Sequence, residues 1–219
     1  MYPWIDSTWN PIRGVCPHEC LYCYMKRLWP VLDNPPIFHK GDLVPGLFSP
    51  GEKIFVESSI DLFAEEIPIA WIKEVLEYCS TFPATGFLFQ TKNPGRLRYS
   101  RDMKLAGNFI IGTTIETNKH LRTVKTKAPT VGQRYQDFSA IDHSAKMVSI
   151  EPVLEFDPKV LAIWMEKISP VFISIGADSK GWGLPEPNAQ DLSELVFRLD
   201  EIGIDVRKKK NLNRIFEGG

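Results

Sequence analysis

The sequence predicts an α/β fold built on a parallel sheet, and three observations predict it. Short runs of β-branched and aromatic residues recur along the 219 residues, with amphipathic stretches between them. That strand–helix rhythm is the pattern of a parallel sheet covered by helices. Almost every apolar run ends in polar side chains, as in Ile54-Phe55-Val56 followed by Glu57-Ser58-Ser59. Six or seven such units fit the chain, fewer than the eight of a closed barrel. The expected architecture is therefore a partial, open TIM-like barrel of the (β/α)6 type. No composition break demands a second domain, so residues 1–219 are expected to form one.

The elements follow in order. Residues 10–15 are the expected first strand, running into a cysteine-rich loop. Residues 29–50 are rich in Pro and Gly without clear periodicity and predict a long loop or lid. Residues 53–58 predict the next strand. Residues 68–80 place Ile72, Val75, Leu76 and Cys79 on one face, the spacing of a half-buried helix. Cys79 belongs to that apolar face and reads as a small core hydrophobe. Strands are expected at 87–91, 109–115, 147–151, 171–176 and, weakly, 204–206. Asp157-Pro158 is an N-cap and first-turn pair for a helix reaching Ile168. Residues 188–202 are amphipathic and stopped by Gly203. Residues 93–104 and 118–127 are shorter, more polar helix candidates.

Charge narrows the function. With 26 basic and 27 acidic residues, net charge is -1, unlike a protein that coats nucleic acid indiscriminately. Three basic stretches remain: Lys92 to Lys104, Lys119 to Arg134, and Arg207 to Lys210. They read first as solvated faces and second as a polyanion contact. No apolar stretch approaches membrane-span length, and Met-Tyr-Pro-Trp-Ile-Asp lacks the basic start and apolar run of a signal peptide. The expected compartment is the reducing cytoplasm, where clustered thiols bind metal rather than form disulfides.

Three of the four cysteines fall within eight residues, Cys16, Cys20 and Cys23, in the spacing C-x3-C-x2-C. Two chemistries suit them. A structural zinc would take a fourth ligand from His18, His39 or a remote residue. An iron–sulfur cluster of four irons would leave one iron without a protein thiolate. The polar strand ends then become site candidates, because such ends share one face of a parallel barrel with the loops that carry chemistry. They are Ser58, Ser59 and Asp61; Gln90, Thr91 and Lys92; Thr113, Thr114 and Glu116; Glu151; and Gly176-Ala177-Asp178.

With Tyr22 in place before Cys23, the chain resembles the radical S-adenosylmethionine superfamily, whose signature is C-x3-C-x-aromatic-C. Within it, the stretches Ser7-Thr8-Trp9-Asn10-Pro11, Phe89-Gln90-Thr91-Lys92-Asn93-Pro94 and Ser149-Ile150-Glu151-Pro152 resemble a phage- and prokaryote-associated uncharacterised family near the spore photoproduct lyase-like group. The resemblance implies a [4Fe-4S] cluster on Cys16, Cys20 and Cys23, with S-adenosyl-L-methionine on the open iron and cleaved to a 5′-deoxyadenosyl radical. It implies Tyr22 near the adenine, and Ser58, Ser59 and Asp61 on the methionine ammonium group. Lys92 would face the carboxylate, and Thr114, Glu116 and Glu151 the ribose hydroxyls or the carboxylate end. It further implies a flavodoxin- or ferredoxin-like electron donor and a nucleic-acid substrate, with a small metabolite or a protein as alternatives. No catalytic side chain is assigned. The rival from another class is a non-catalytic, zinc-stabilised binding module.

Overall fold

The computed structural model describes residues 2–28, 33–103 and 107–217; of residues 99–103 only the backbone is described. In chain order the elements are β1 (Ser7–Trp9), β2 (Ile12–Arg13), α1 (Met25–Leu28), β3 (Ile37–Phe38), β4 (Lys53–Val56) and α2 (Ile69–Ser80). Then come β5 (Gly86–Thr91), β6 (Phe109–Thr114), α3 (Val131–Ser139), β7 (Lys146–Ile150) and α4 (Pro158–Ile168). The chain continues through β8 (Phe172–Ile175), α5 (Ala189–Glu201), β9 (Asp205–Lys208) and α6 (Asn213–Glu217). Seven strands form one sheet in the order β1-β4-β5-β6-β7-β8-β9, every pair parallel. β1 and β9 stand at the two ends of the order and do not pair with each other among the described residues, so the barrel is open, as expected.

Side chains alternate across the strands with the period of two that a pleated sheet dictates. Ile54, Val56, Phe87, Phe89, Ile111, Val148 and Ile173 point to the helices and form the main core with Ile72, Leu76, Leu161 and Leu195. The opposite face begins as an apolar floor of Leu88, Met147 and Phe172, covered by Tyr2 and Ile5 and flanked by Trp4, Phe55 and Ile110. One step further along the strands the same parity turns polar, with Gln90, Thr114 and Ser149. Gly112 makes this face close-packed, because a Cβ there would lie 2.9 Å from the Met147 Cγ.

Several elements differ from the sequence expectation. The first strand of the sheet is Ser7–Trp9, which pairs Trp9 with Val56; residues 12–13 instead form a separate antiparallel pair with Ile37–Phe38. Asn10-Pro11 separates the two, since proline lacks the N–H that a continuing ladder needs. Residues 118–127 are irregular rather than helical, and 94–103 form 3-10 turns. The helix α3 was not expected. Its capping box is present in the sequence, with the Thr130 hydroxyl accepting from the Gln133 N–H at 3.2 Å. α4 and α5 start at Asp157 and Asn188, each side chain accepting an N–H three residues on. Gly203 follows α5 at φ +76°, a backbone conformation that suits glycine.

Of the stretch expected as a loop or lid, residues 29–32 lie outside the described residues. The remainder packs outward. Phe48 sits edge-on to Trp9 and Phe87, and Val44 C=O accepts from the Tyr78 hydroxyl at 2.7 Å. None of these residues lines the cavity described next.

Candidate functional site

A cavity of about 440 Å³ opens where the parallel strands end. Cys16, Cys20 and Cys23 border it on one side; Ser58, Ser59, Asp61, Lys92, Thr114 and Glu151 line other parts of its wall. The fold thus gathers the three cysteines and most of the polar strand ends at one mouth, where active sites of parallel barrels are built.

The cysteine loop is braced from behind by the irregular segment 118–127. Leu21 N–H donates to Lys125 C=O at 2.9 Å, and Lys127 N–H donates to His18 C=O at 2.7 Å. The Thr126 hydroxyl donates to His18 C=O at 3.1 Å and contacts the Cys20 Sγ at 3.2 Å. Burial, then the Asp61 carboxylate, push the Cys16 thiol up to about 12, so its thiolate form calls for a cationic centre. Among the described residues no three His, Cys, Asp or Glu side chains converge on one point as a single ion requires. A zinc ion draws its four donors to within roughly 2.0–2.3 Å of itself, whereas the thiolates of a cluster bind separate irons.

His18 is already engaged. Its Nε2 lies 2.8 Å from the Asp61 Oδ2 in a buried pair. Asp61 also accepts from Lys92 N–H at 2.6 Å and Phe63 N–H at 2.9 Å. Burial alone would raise its pKa, but His18 first, then the Lys92 N–H and the Thr91 hydroxyl, together hold the carboxyl below its usual range. Asp61 therefore positions His18 and the start of the Lys92 loop, and its acceptor capacity is largely used there. Ser58 and Ser59 are set by Asn10, a residue outside the sequence-predicted set. The Asn10 Oδ1 accepts from the Ser58 hydroxyl at 3.1 Å and from the Ser59 N–H at 3.2 Å.

Tyr22 and Glu116 form a second buried group. The Tyr22 hydroxyl donates to the Glu116 Oε1. Arg134 binds the Glu116 Oε2 at 2.8 Å and the Thr114 C=O at 2.7 Å, and the Lys92 Nζ stands 3.6 Å from the Oε1. Burial would raise Glu116, but Arg134 first and Lys92 next hold it below the usual carboxylate range. Glu116 thus lies behind the cavity wall, holding Tyr22, rather than on the cavity surface as the ribose contact expected. The Lys92 Nζ lies 5.5 Å from the Tyr22 ring centroid and joins the wall to the cavity.

The far wall was less legible. The Glu151 Oε2 pairs with the Lys209 Nζ at 2.5 Å, and both rest against Gly176, where a Cβ would stand 3.0 Å from the Glu151 carboxyl. On the floor the Tyr2 hydroxyl donates to the Gln90 Oε1 at 2.7 Å, and the Gln90 Nε2 donates to the Thr114 Oγ1 at 3.0 Å. Lys180 and Lys209 add cations to the lining. The basic stretches seen in sequence are only partly surface. Arg96 is buried and donates to the Ile67 C=O at 2.8 Å, and Arg134 is buried on Glu116. Lys104 lies outside the described residues.

No curated protein matches the chain by sequence. Among solved structures it is similar to a cysteine-to-serine variant of spore photoproduct lyase, with TM-score 0.67 and 9% identity over 95% of this chain and 77% of that one. It is similar also to spore photoproduct lyase complexed with a dinucleoside spore photoproduct, with TM-score 0.60, 10% identity and 89% of this chain covered. A doubly substituted variant of that lyase with bound AdoMet and the dinucleoside gives TM-score 0.57 and 11% identity over 90% of this chain. The chain spans 61% of the length of the latter two. At such identities the likeness is one of fold. Residues 2–173 match the family described as "Protein of unknown function (DUF5131)", and the chain belongs to that family.

Proposed function

We propose that the protein is a radical S-adenosylmethionine enzyme. The observation that carries this is the placement of Cys16, Cys20 and Cys23 on one wall of a cavity whose other walls hold Ser58, Lys92, Thr114 and Glu151. The donor set fits a [4Fe-4S] cluster with one open iron, because three thiols share the mouth and each can bind a separate iron. Bound there, the cluster would supply the electron that cleaves S-adenosyl-L-methionine to methionine and a hydrogen-abstracting 5′-deoxyadenosyl radical. The protein's share is orientation and exclusion of competing reactions.

Each wall has a task in that scheme. The Ser58 and Ser59 hydroxyls, turned by Asn10, keep lone pairs for an ammonium group. Lys92 meets the carboxylate. The Thr114 hydroxyl, accepting from Gln90, keeps its proton to donate to a ribose oxygen. Glu151 accepts a ribose hydroxyl while Lys209 holds its charge. Tyr22, fixed through Glu116, offers a ring edge to the adenine. Asp61 acts through His18 instead of touching the cofactor.

The substrate class we favour is nucleic acid. Lys180 and Lys209 line the cavity, and a protein of similar fold binds a dinucleoside photoproduct. A salt-sensitive association with oligonucleotides is the corresponding signature. Among the described residues no helix is long and apolar enough to cross a membrane, and clustered thiols suit a reducing cytoplasm.

The test is anaerobic reconstitution with iron and sulfide, then dithionite and S-adenosylmethionine, with 5′-deoxyadenosine read by mass spectrometry. A brown protein that forms the nucleoside, and a colourless, inactive Cys20→Ala variant, support the proposal. A colourless protein carrying one zinc overturns it in favour of the binding module.

A further inference from the structure

We propose that the outer side of the cysteine loop is a docking surface for an acidic one-electron carrier protein, with Lys26, Arg122, Lys125 and Lys127 as its contacts. This rests on the enzyme reading above. The first support is proximity. Residues 125–127 are strapped to the loop by backbone hydrogen bonds at Leu21 and His18, and Thr126 touches the Cys20 Sγ at 3.2 Å. A partner seated on these residues is therefore separated from a cluster ligand by little more than one side chain.

The second support is charge. All four cations are exposed, and Lys127 pairs with Glu19 of the loop. The Lys26 ammonium donates to the Glu19 C=O at 3.2 Å, so Lys26 and Lys127 meet on one residue of the loop. Arg122 and Lys125 form no ion pair among the described residues. Complementary charge steers association and fixes orientation.

The third support is position. None of the four lines the cavity, whose cations are Lys92, Lys180 and Lys209. A substrate must enter the cavity for its hydrogen to be removed, whereas a reductant need only reach the edge of the cluster. In the encounter the carrier gives up one electron and the cluster gains it, with no bond made or proton moved. A basic patch outside the cavity and against the cysteine loop suits delivery of that electron.

The experiment uses the reconstituted protein, a flavodoxin as the acidic probe, and a variant combining Arg122→Glu with Lys125→Glu. Charge reversal at 125 leaves the strap in place, because Leu21 bonds the backbone C=O of that residue. Calorimetric titration should show binding that weakens with salt and falls about tenfold in the variant. Nucleoside formation driven by reduced flavodoxin should fall in step, while formation driven by dithionite stays at the wild-type rate. Equal flavodoxin binding by both proteins overturns the surface while leaving the enzyme reading intact. Failure of the wild type with dithionite sinks the enzyme reading instead, and the titration still decides the surface. Loss of oligonucleotide binding with flavodoxin binding unchanged assigns the patch to nucleic acid and overturns the proposal.

Discussion

Glu116 and Arg134 have side chains only 2% exposed, and each satisfies the other. Removing one partner of such a pair strands a buried charge, which costs about 3–5 kcal/mol. Arg134→Met should lose that much stability in urea denaturation, and pairing it with Glu116→Gln should recover a large part. Glu57 has the opposite imbalance. Its Oε1 accepts from Ile12 N–H at 2.7 Å, its Oε2 has no hydrogen-bond partner among the described residues, and burial pushes its pKa up to about 9. A carboxyl whose folded pKa exceeds its unfolded value binds more protons when folded, so stability falls as pH rises from about 4.5 toward 9. Glu57→Gln should remove that slope. In denaturation at pH 5 and pH 8.5, the variant should gain on the wild type at the higher pH. The sequence marked the polar strand ends because their residue types break an apolar run. It gave Asn10 no role in the site and did not mark the inward turn of Arg134, since a side chain's partner across the fold leaves no local trace.

Among elements, the brace at 125–127 and the helix α3 were the hardest to read. Residues 118–127 carry helix-compatible charge spacing, yet the Lys125 C=O and the Lys127 N–H are spent on the cysteine loop and the Lys119 N–H on the Thr117 hydroxyl. α3 has only Arg134 and Phe138 buried, so its apolar stripe is thin, and the Thr130–Gln133 cap was the stronger signal. α2, α4 and α5 were legible because each buries three or four residues at helical spacing. Thr126→Val deletes the hydroxyl that bonds the His18 C=O and touches the Cys20 Sγ. We expect a loss of about 0.5–1.5 kcal/mol. Iron should also leave the reconstituted variant faster under a chelator, followed by the decay of visible absorbance.

Across the whole molecule, the strand count and parallel order were visible in the rhythm of apolar runs, but the identity of the first strand was not. β1 is three residues long, and its neighbours Tyr2, Trp4 and Ile5 belong to the inner floor instead of the helix-facing core. Trp4 stands edge-on to Phe172 at 5.3 Å, and the Arg207 guanidinium lies 3.6 Å from the Phe172 centroid. The start of the chain thus ties down the last strand across the open barrel. Trp4→Ala should cost about 1–3 kcal/mol in thermal or urea unfolding. It should also raise amide exchange in β9 more than in β5, because β9 has a single strand neighbour.

Each strand devotes alternate positions to two masters. One set interlocks with the helices, and the other forms the inner face, whose last members line the mouth. Retooling the inward set leaves the interlocked set as it was. The scaffold can therefore diversify its chemistry by exchanging a handful of inward side chains, with its endurance held by the half of each strand that no ligand meets.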